Sequence, residues 1–136
     1  LPLTLFPYTT LFRSPHIVQA FSDCDALVLE FNHDPGMLAE GPYPRSVKAR
    51  VGGAFGHLTN QQARQFLDHA GTDKLKTLFV AHISQQNNAP ELAEAALTGW
   101  PGLSYCAVIH ATQETGFDWY TLDGLDTQPE FEMGMR

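Results

Sequence analysis

Two hydrophobic rhythms run through this chain, one of short continuous apolar runs and one of helical spacing. Thr77, Leu78, Phe79, Val80 and Ala81 form a β-branched and apolar run bounded by polar residues, which predicts one buried strand too short to be a helix. Ala26, Leu27, Val28 and Leu29 repeat the pattern and predict a second strand, covered on both faces. Tyr105 to Ile109 predicts a third, and the alternation from Phe117 to Leu122 a fourth that would close a terminal hairpin or edge. Between these runs the spacing turns helical. Ile17, Val18 and Phe21 follow Pro15 as the end of one helix, and Pro35 to Glu40 reads as a short second one. Thr59 with Gln62 has the spacing of a capping box, so a helix is expected over 60–69, with Phe66 and Leu67 on its apolar face and Gly71 as its stop. Pro90 and Glu91 open an Ala-rich helix over 89–97. Strands alternating with helices place the chain in the α/β class.

Chemistry enters where the apolar runs stop. His82 follows the central strand, and Glu30 ends the earlier one, followed by Asn32, His33 and Asp34. Open α/β sheets gather their sites at strand C-terminal ends, because loops there converge on a crevice while the layers stay packed. His57 comes just before the helix that Thr59 caps, where the helix dipole favours a neutral imidazole or a bound anion. Each residue also has a plainer reading. His82 can be a polar residue at a strand end, Asn32 or Asp34 can cap a helix, and the basic cluster Arg45, Lys48 and Arg50 can be a solvated helix face rather than a phosphate contact. His16, His69 and His110 have no neighbours that favour chemistry and are read as structural or surface residues.

Composition narrows the partners. The 136 residues suffice for one core, and 43% hydrophobic with 17% charged residues fits a globular domain. A formal net charge of −7 argues against wholesale nucleic-acid binding by charge alone, though a local basic patch is compatible with it. No apolar run approaches the ~20 residues of a membrane span, so no membrane partner is expected. Two cysteines, Cys24 and Cys106, make neither a metal spacing nor a disulfide framework, which sets a cytoplasmic location as the expectation.

The ends are expected to stand apart. Residues 1–14 keep no period and lack a signal-peptide pattern. They resemble the translated read-through of a sequencing adapter, so they are expected to lie outside the fold. The acidic residues 123–136 are expected to form a disordered tail.

Three pieces carry a resemblance. They are Glu30-Phe31-Asn32-His33-Asp34 with the strand before it, Gly56-His57-Leu58-Thr59-Asn60, and Ala81-His82-Ile83-Ser84 followed by Asn87-Asn88-Ala89-Pro90-Glu91-Leu92. In this order and spacing, over 15–122, the chain resembles the C-terminal half of metallo-β-lactamase-fold hydrolases, in the WalJ (YycJ) branch related to ribonuclease Z. The resemblance implies half of an αββα sandwich and a metal-dependent nuclease acting on phosphodiesters. It implies that His82 ligates one of two divalent metal ions, zinc or manganese, and that Glu30 orients His57 as the group protonating the leaving oxygen. His33, Asp34, Lys48 and Arg50 are candidate contacts to a nucleic-acid substrate. The family's His-x-His-x-Asp-His motif and its metal-bridging aspartate are absent. The expected partner is therefore the missing N-terminal half of the same domain, and the fragment alone is expected to be inactive, to lose the two metals, and to expose an apolar sheet face. The sequence leaves oligomeric state open. The competing expectation is a small non-catalytic α/β binding or interaction module, in which Glu30, His57 and His82 need not meet.

Overall fold

The computed structural model describes residues 15–121. The expectations for 1–14 and 123–136 lie outside these residues. In chain order the elements are α1 (Pro15–Phe21), β1 (Ala26–Glu30), α2 (Pro35–Glu40), α3 (Arg45–Val51), α4 (Asn60–His69), β2 (Thr77–Ala81), α5 (Pro90–Ala96), a 3-10 turn (Pro101–Ser104) and β3 (Ala107–His110). Among the described residues the strands form one parallel sheet in the order β1-β2-β3. Each parallel step needs a crossover, and helices supply it.

Register explains the two faces of the sheet. Leu27 pairs with Leu78 and Leu29 with Val80, while Val108 lies across from Leu78. Those side chains share one face, because strand side chains alternate. That face packs against Ala63, Phe66 and Leu67 of α4, Ala93 of α5, Leu97 and Trp100, with Ile17 of α1 at its margin. The opposite face carries Val28, Phe79 and Ile109 in line. Val28 is 60% exposed there, so β1 is covered on one face and not on both as its continuous apolar run predicts, whereas Phe79 is 5% exposed because the rings of Phe117 and Tyr120 lie on it, at 4.4 and 5.5 Å between centroids.

Two strand expectations shift. The third strand begins at Ala107 rather than Tyr105, since Tyr105 and Cys106 close the turn after the 3-10 helix by donating to the Gly102 carbonyl. Residues 117–121 alternate as expected but form no strand. A bridge between Thr112 and Gly116 turns the chain back, and the aromatic side chains then pack across the sheet. The Thr59 capping box forms as expected, with Gln62 N donating to Thr59 Oγ1 and Thr59 N to Gln62 Oε1. No described helix is long and apolar enough to cross a membrane.

A candidate metal and acid-base site at the sheet edge

Glu30 ends β1 and His82 follows β2, so parallel pairing puts both at the same edge. His57 arrives from the turn between α3 and α4. That turn is tight: His57 N donates to the Val51 carbonyl at 2.8 Å, and a Cβ on Gly56 would collide with that oxygen, so only glycine fits. Beyond β1 the chain continues as a short pairing with the segment before α4, with Asn32 N donating to Leu58 O and Asn60 N to His33 O. These bonds bring His57 over Glu30.

The three side chains meet. His57 Nδ1 is 2.7 Å from Glu30 Oε1, and Leu58 N donates to the same oxygen at 3.2 Å. An ionised carboxylate only accepts, so the bonded nitrogen is the proton-bearing Nδ1–H, leaving Nε2 to exchange a proton. His82 Nδ1 lies 3.6 Å from Oε1, beyond hydrogen-bonding range, and its ring meets that of His57 edge-on at 4.9 Å. Side-chain exposures of 28% for Glu30, 42% for His57 and 54% for His82 leave the cluster open to solvent.

The backbone at His82 is unusual. Its φ is +56°, in the left-handed region that non-glycine residues rarely occupy. Asn32 holds it there, donating from Nδ2 to the His82 carbonyl at 3.0 Å, while Ser84 N donates to Asn32 O. A buried amide lock lies behind. Asn60 and Asn88 exchange hydrogen bonds at 2.8 Å in both directions, and Asn88 also donates to Phe31 O. The segments after β1, before α4 and after β2 are thereby tied together. Sequence reasoning missed Asn32 and Asn60 in this role, and the paired Asn87 and Asn88 were the one visible signal.

The remaining candidates do not join the cluster. His33 is 1% exposed and its Nδ1 has no hydrogen-bond partner among the described residues. Burial pushes its pKa below the usual 6.5, the nearby His57 pushes the same way, and Glu30 and Asp34 oppose. A ring this buried offers no surface to a substrate. The Asp34 carboxylate caps α2 by accepting from Met37 N at 2.9 Å, the cap reading of the sequence. Lys48 donates to the Ala39 carbonyl and so braces the end of α2, while Arg50 is exposed on α3.

A carboxylate and two imidazoles at one open edge define the class of site: one fit for metal-assisted or acid-base chemistry. The donor set, two nitrogens and an oxygen, suits zinc or manganese. The chain is 39% identical over 89 residues to exodeoxyribonuclease YycJ of Bacillus anthracis, covering 65% of this chain and 34% of that protein. It is 27% identical over 88 residues to exodeoxyribonuclease WalJ of Streptococcus pneumoniae in two strains, covering 65% of this chain and 33% of theirs. The resemblance read from the three motifs is to this same WalJ/YycJ branch. The chain spans about a third of the length of these relatives. No family model matches it, and no solved structure does.

Proposed function

We propose that the chain is the C-terminal part of a metal-dependent nuclease of the WalJ/YycJ type, supplying one β-layer of an αββα sandwich. The observation that carries this reading is the convergence of Glu30, His57 and His82 at one sheet edge. A binding module would leave the three free to scatter, so the convergence favours the hydrolase.

Each residue has a task in this reading. Glu30 fixes the orientation and tautomer of His57 through Oε1. In its doubly protonated form, with Nδ1–H held on the Glu30 carboxylate, His57 passes the Nε2 proton to the departing oxygen of a phosphodiester and is left neutral, the step that general acids accelerate. His82 offers a nitrogen to one of the divalent ions, zinc or manganese, which supply Lewis-acid stabilisation of charge on the phosphate. Arg50, exposed on α3, offers its charge to the backbone of a nucleic acid.

The test begins with the natural reading frame upstream of Pro15. We expect it to encode His-x-His-x-Asp-His, and the full product to release nucleotides from DNA only with a divalent metal. His57→Ala should then lower the rate by about 100-fold or more. An upstream frame without those ligands, or a full product indifferent to Glu30→Gln and His57→Ala, would sink the proposal.

A further inference from the structure

We infer that the turn at residues 53–56 displays the Phe55 ring as a stacking platform for an unpaired DNA base, while Arg45 and Arg50 of α3 meet the phosphates beside that base. The inference rests on the nuclease reading for its ligand and adds the form of DNA that the surface takes, a single strand. It lies beside the Glu30–His57 pair and uses none of its atoms.

The backbone comes first. Gly56 N donates to the Gly53 carbonyl at 2.9 Å, the bond of a β-turn, so Ala54 and Phe55 are its two corner residues. A Cβ on Gly53 would collide with the Ala49 carbonyl and one on Gly56 with the Val51 carbonyl, so the turn lies directly against the end of α3. His57 N is bonded to that same Val51 carbonyl. The aromatic corner and the proton-passing histidine therefore hang from one helix end. Corner positions ordinarily carry Gly, Pro, Asn, Asp or Ser. Here a Phe stands there, 73% exposed.

Single exposed apolar residues are common on proteins, and charge sets this one apart. Residues 41–67 hold Arg45, Lys48, Arg50 and Arg64 and no Asp or Glu, in a chain with a formal net charge of −7. Lys48 and Arg64 are engaged within the fold, Lys48 donating to the Ala39 carbonyl and Arg64 to Asp68 and the Thr98 carbonyl. Arg45 and Arg50 are exposed on α3. An acidic protein that concentrates positive charge around an exposed ring fits a polyanion bearing flat apolar groups, which is the chemistry of a nucleic-acid strand. A base inside a duplex already has both faces stacked on its neighbours, so the ring selects an unpaired one. Every base has such a face, and the grip does not depend on sequence.

The ordinary alternative is that Phe55 is a packing surface for protein, and the choice of substitutions separates the two. Phe55→Leu keeps an apolar side chain and removes the flat ring, whereas Phe55→Tyr keeps the ring. The full 136-residue chain and its variants, each checked for folding by circular dichroism, are titrated in chelator with a short fluorescein-labelled single strand of DNA and with the blunt duplex of the same sequence, read by anisotropy. The expected result is tighter binding of the single strand than of the duplex. Phe55→Leu should weaken it by ~5- to 100-fold at unchanged salt dependence, and Phe55→Tyr should bind as the parent does. Arg45→Gln and Arg50→Gln should each lower the slope of log affinity against log salt by about 0.7. Phe55→Leu binding as well as the parent, or a folded parent chain that binds no single strand, overturns the proposal. DNA cleavage by the full gene product that still depends on His57 would then leave the nuclease reading standing. Binding that depends on the Phe55 ring, with a full gene product that cleaves no DNA, would keep this surface and reject the nuclease.

Discussion

An imidazole has two nitrogens, and its surroundings decide how many of them are useful. His57 and His82 keep theirs in an open cluster, whereas His33 sits in the interior with Nδ1 unpartnered. Burial disfavours the charged ring, so the folded pKa lies below 6.5. In the unfolded chain His33 is freer to take a proton, which sets the sign: stability is fully present above about pH 6.5 and falls as the pH drops through the folded pKa. The urea midpoint should therefore fall between pH 7.5 and 5, and His33→Phe should flatten that part of the profile. An unchanged profile in the variant would assign the acid sensitivity elsewhere. Glu30, His57 and His82 were legible in the sequence because each is a polar residue placed where an apolar run stops or a helix begins. The asparagines that hold them were not. Asn32 and His82 are 50 residues apart, and Asn88 and Phe31 57, so no local pattern connects them.

At the scale of elements, local signals did well wherever the deciding contacts were local. The capping box of α4 is satisfied within four residues, and Asp34 caps α2 across three. Because α4 begins three residues after His57, its cap also helps place the site. Thr59→Ala should cost about 1 kcal/mol of stability, seen as a lower urea midpoint. It should also broaden or shift the His57 ring signals in NMR, whereas an effect on stability without any change at His57 would separate the helix start from the site. Residues 117–121 mark the opposite case. Alternation predicted a strand, but a strand also needs a free sheet edge in register, and the turn at Thr112–Gly116 directs these aromatics onto the face instead.

For the molecule as a whole, the two faces of the sheet are unequal. Helices cover one, and a strap of aromatic residues covers part of the other. Thr77, fully buried on β2, donates its hydroxyl to Tyr120 Oη at 2.8 Å. Tyr120→Phe would leave that hydroxyl unsatisfied, costing about 1 to 3 kcal/mol. A urea midpoint equal to the parent's would show that the strap contributes nothing to stability. Val28 remains 60% exposed beside the strap, so β1 is open on that face.

The sequence by itself determined the α/β class, the position of β1 and β2, the helix starts, and the three residues worth suspecting. Those are matters of periodicity, capping and the places where polar groups interrupt apolar runs, all written within a few residues of one another. Tertiary structure decided the rest. Parallel pairing of β1 with β2 brought Glu30 beside His82, and the bridge at His33 and Thr59 laid His57 over the carboxylate. Burial made His33 an interior group and left the other two histidines open. Distance along the chain hides such contacts, because they exist only once the sheet register has fixed which strand ends meet.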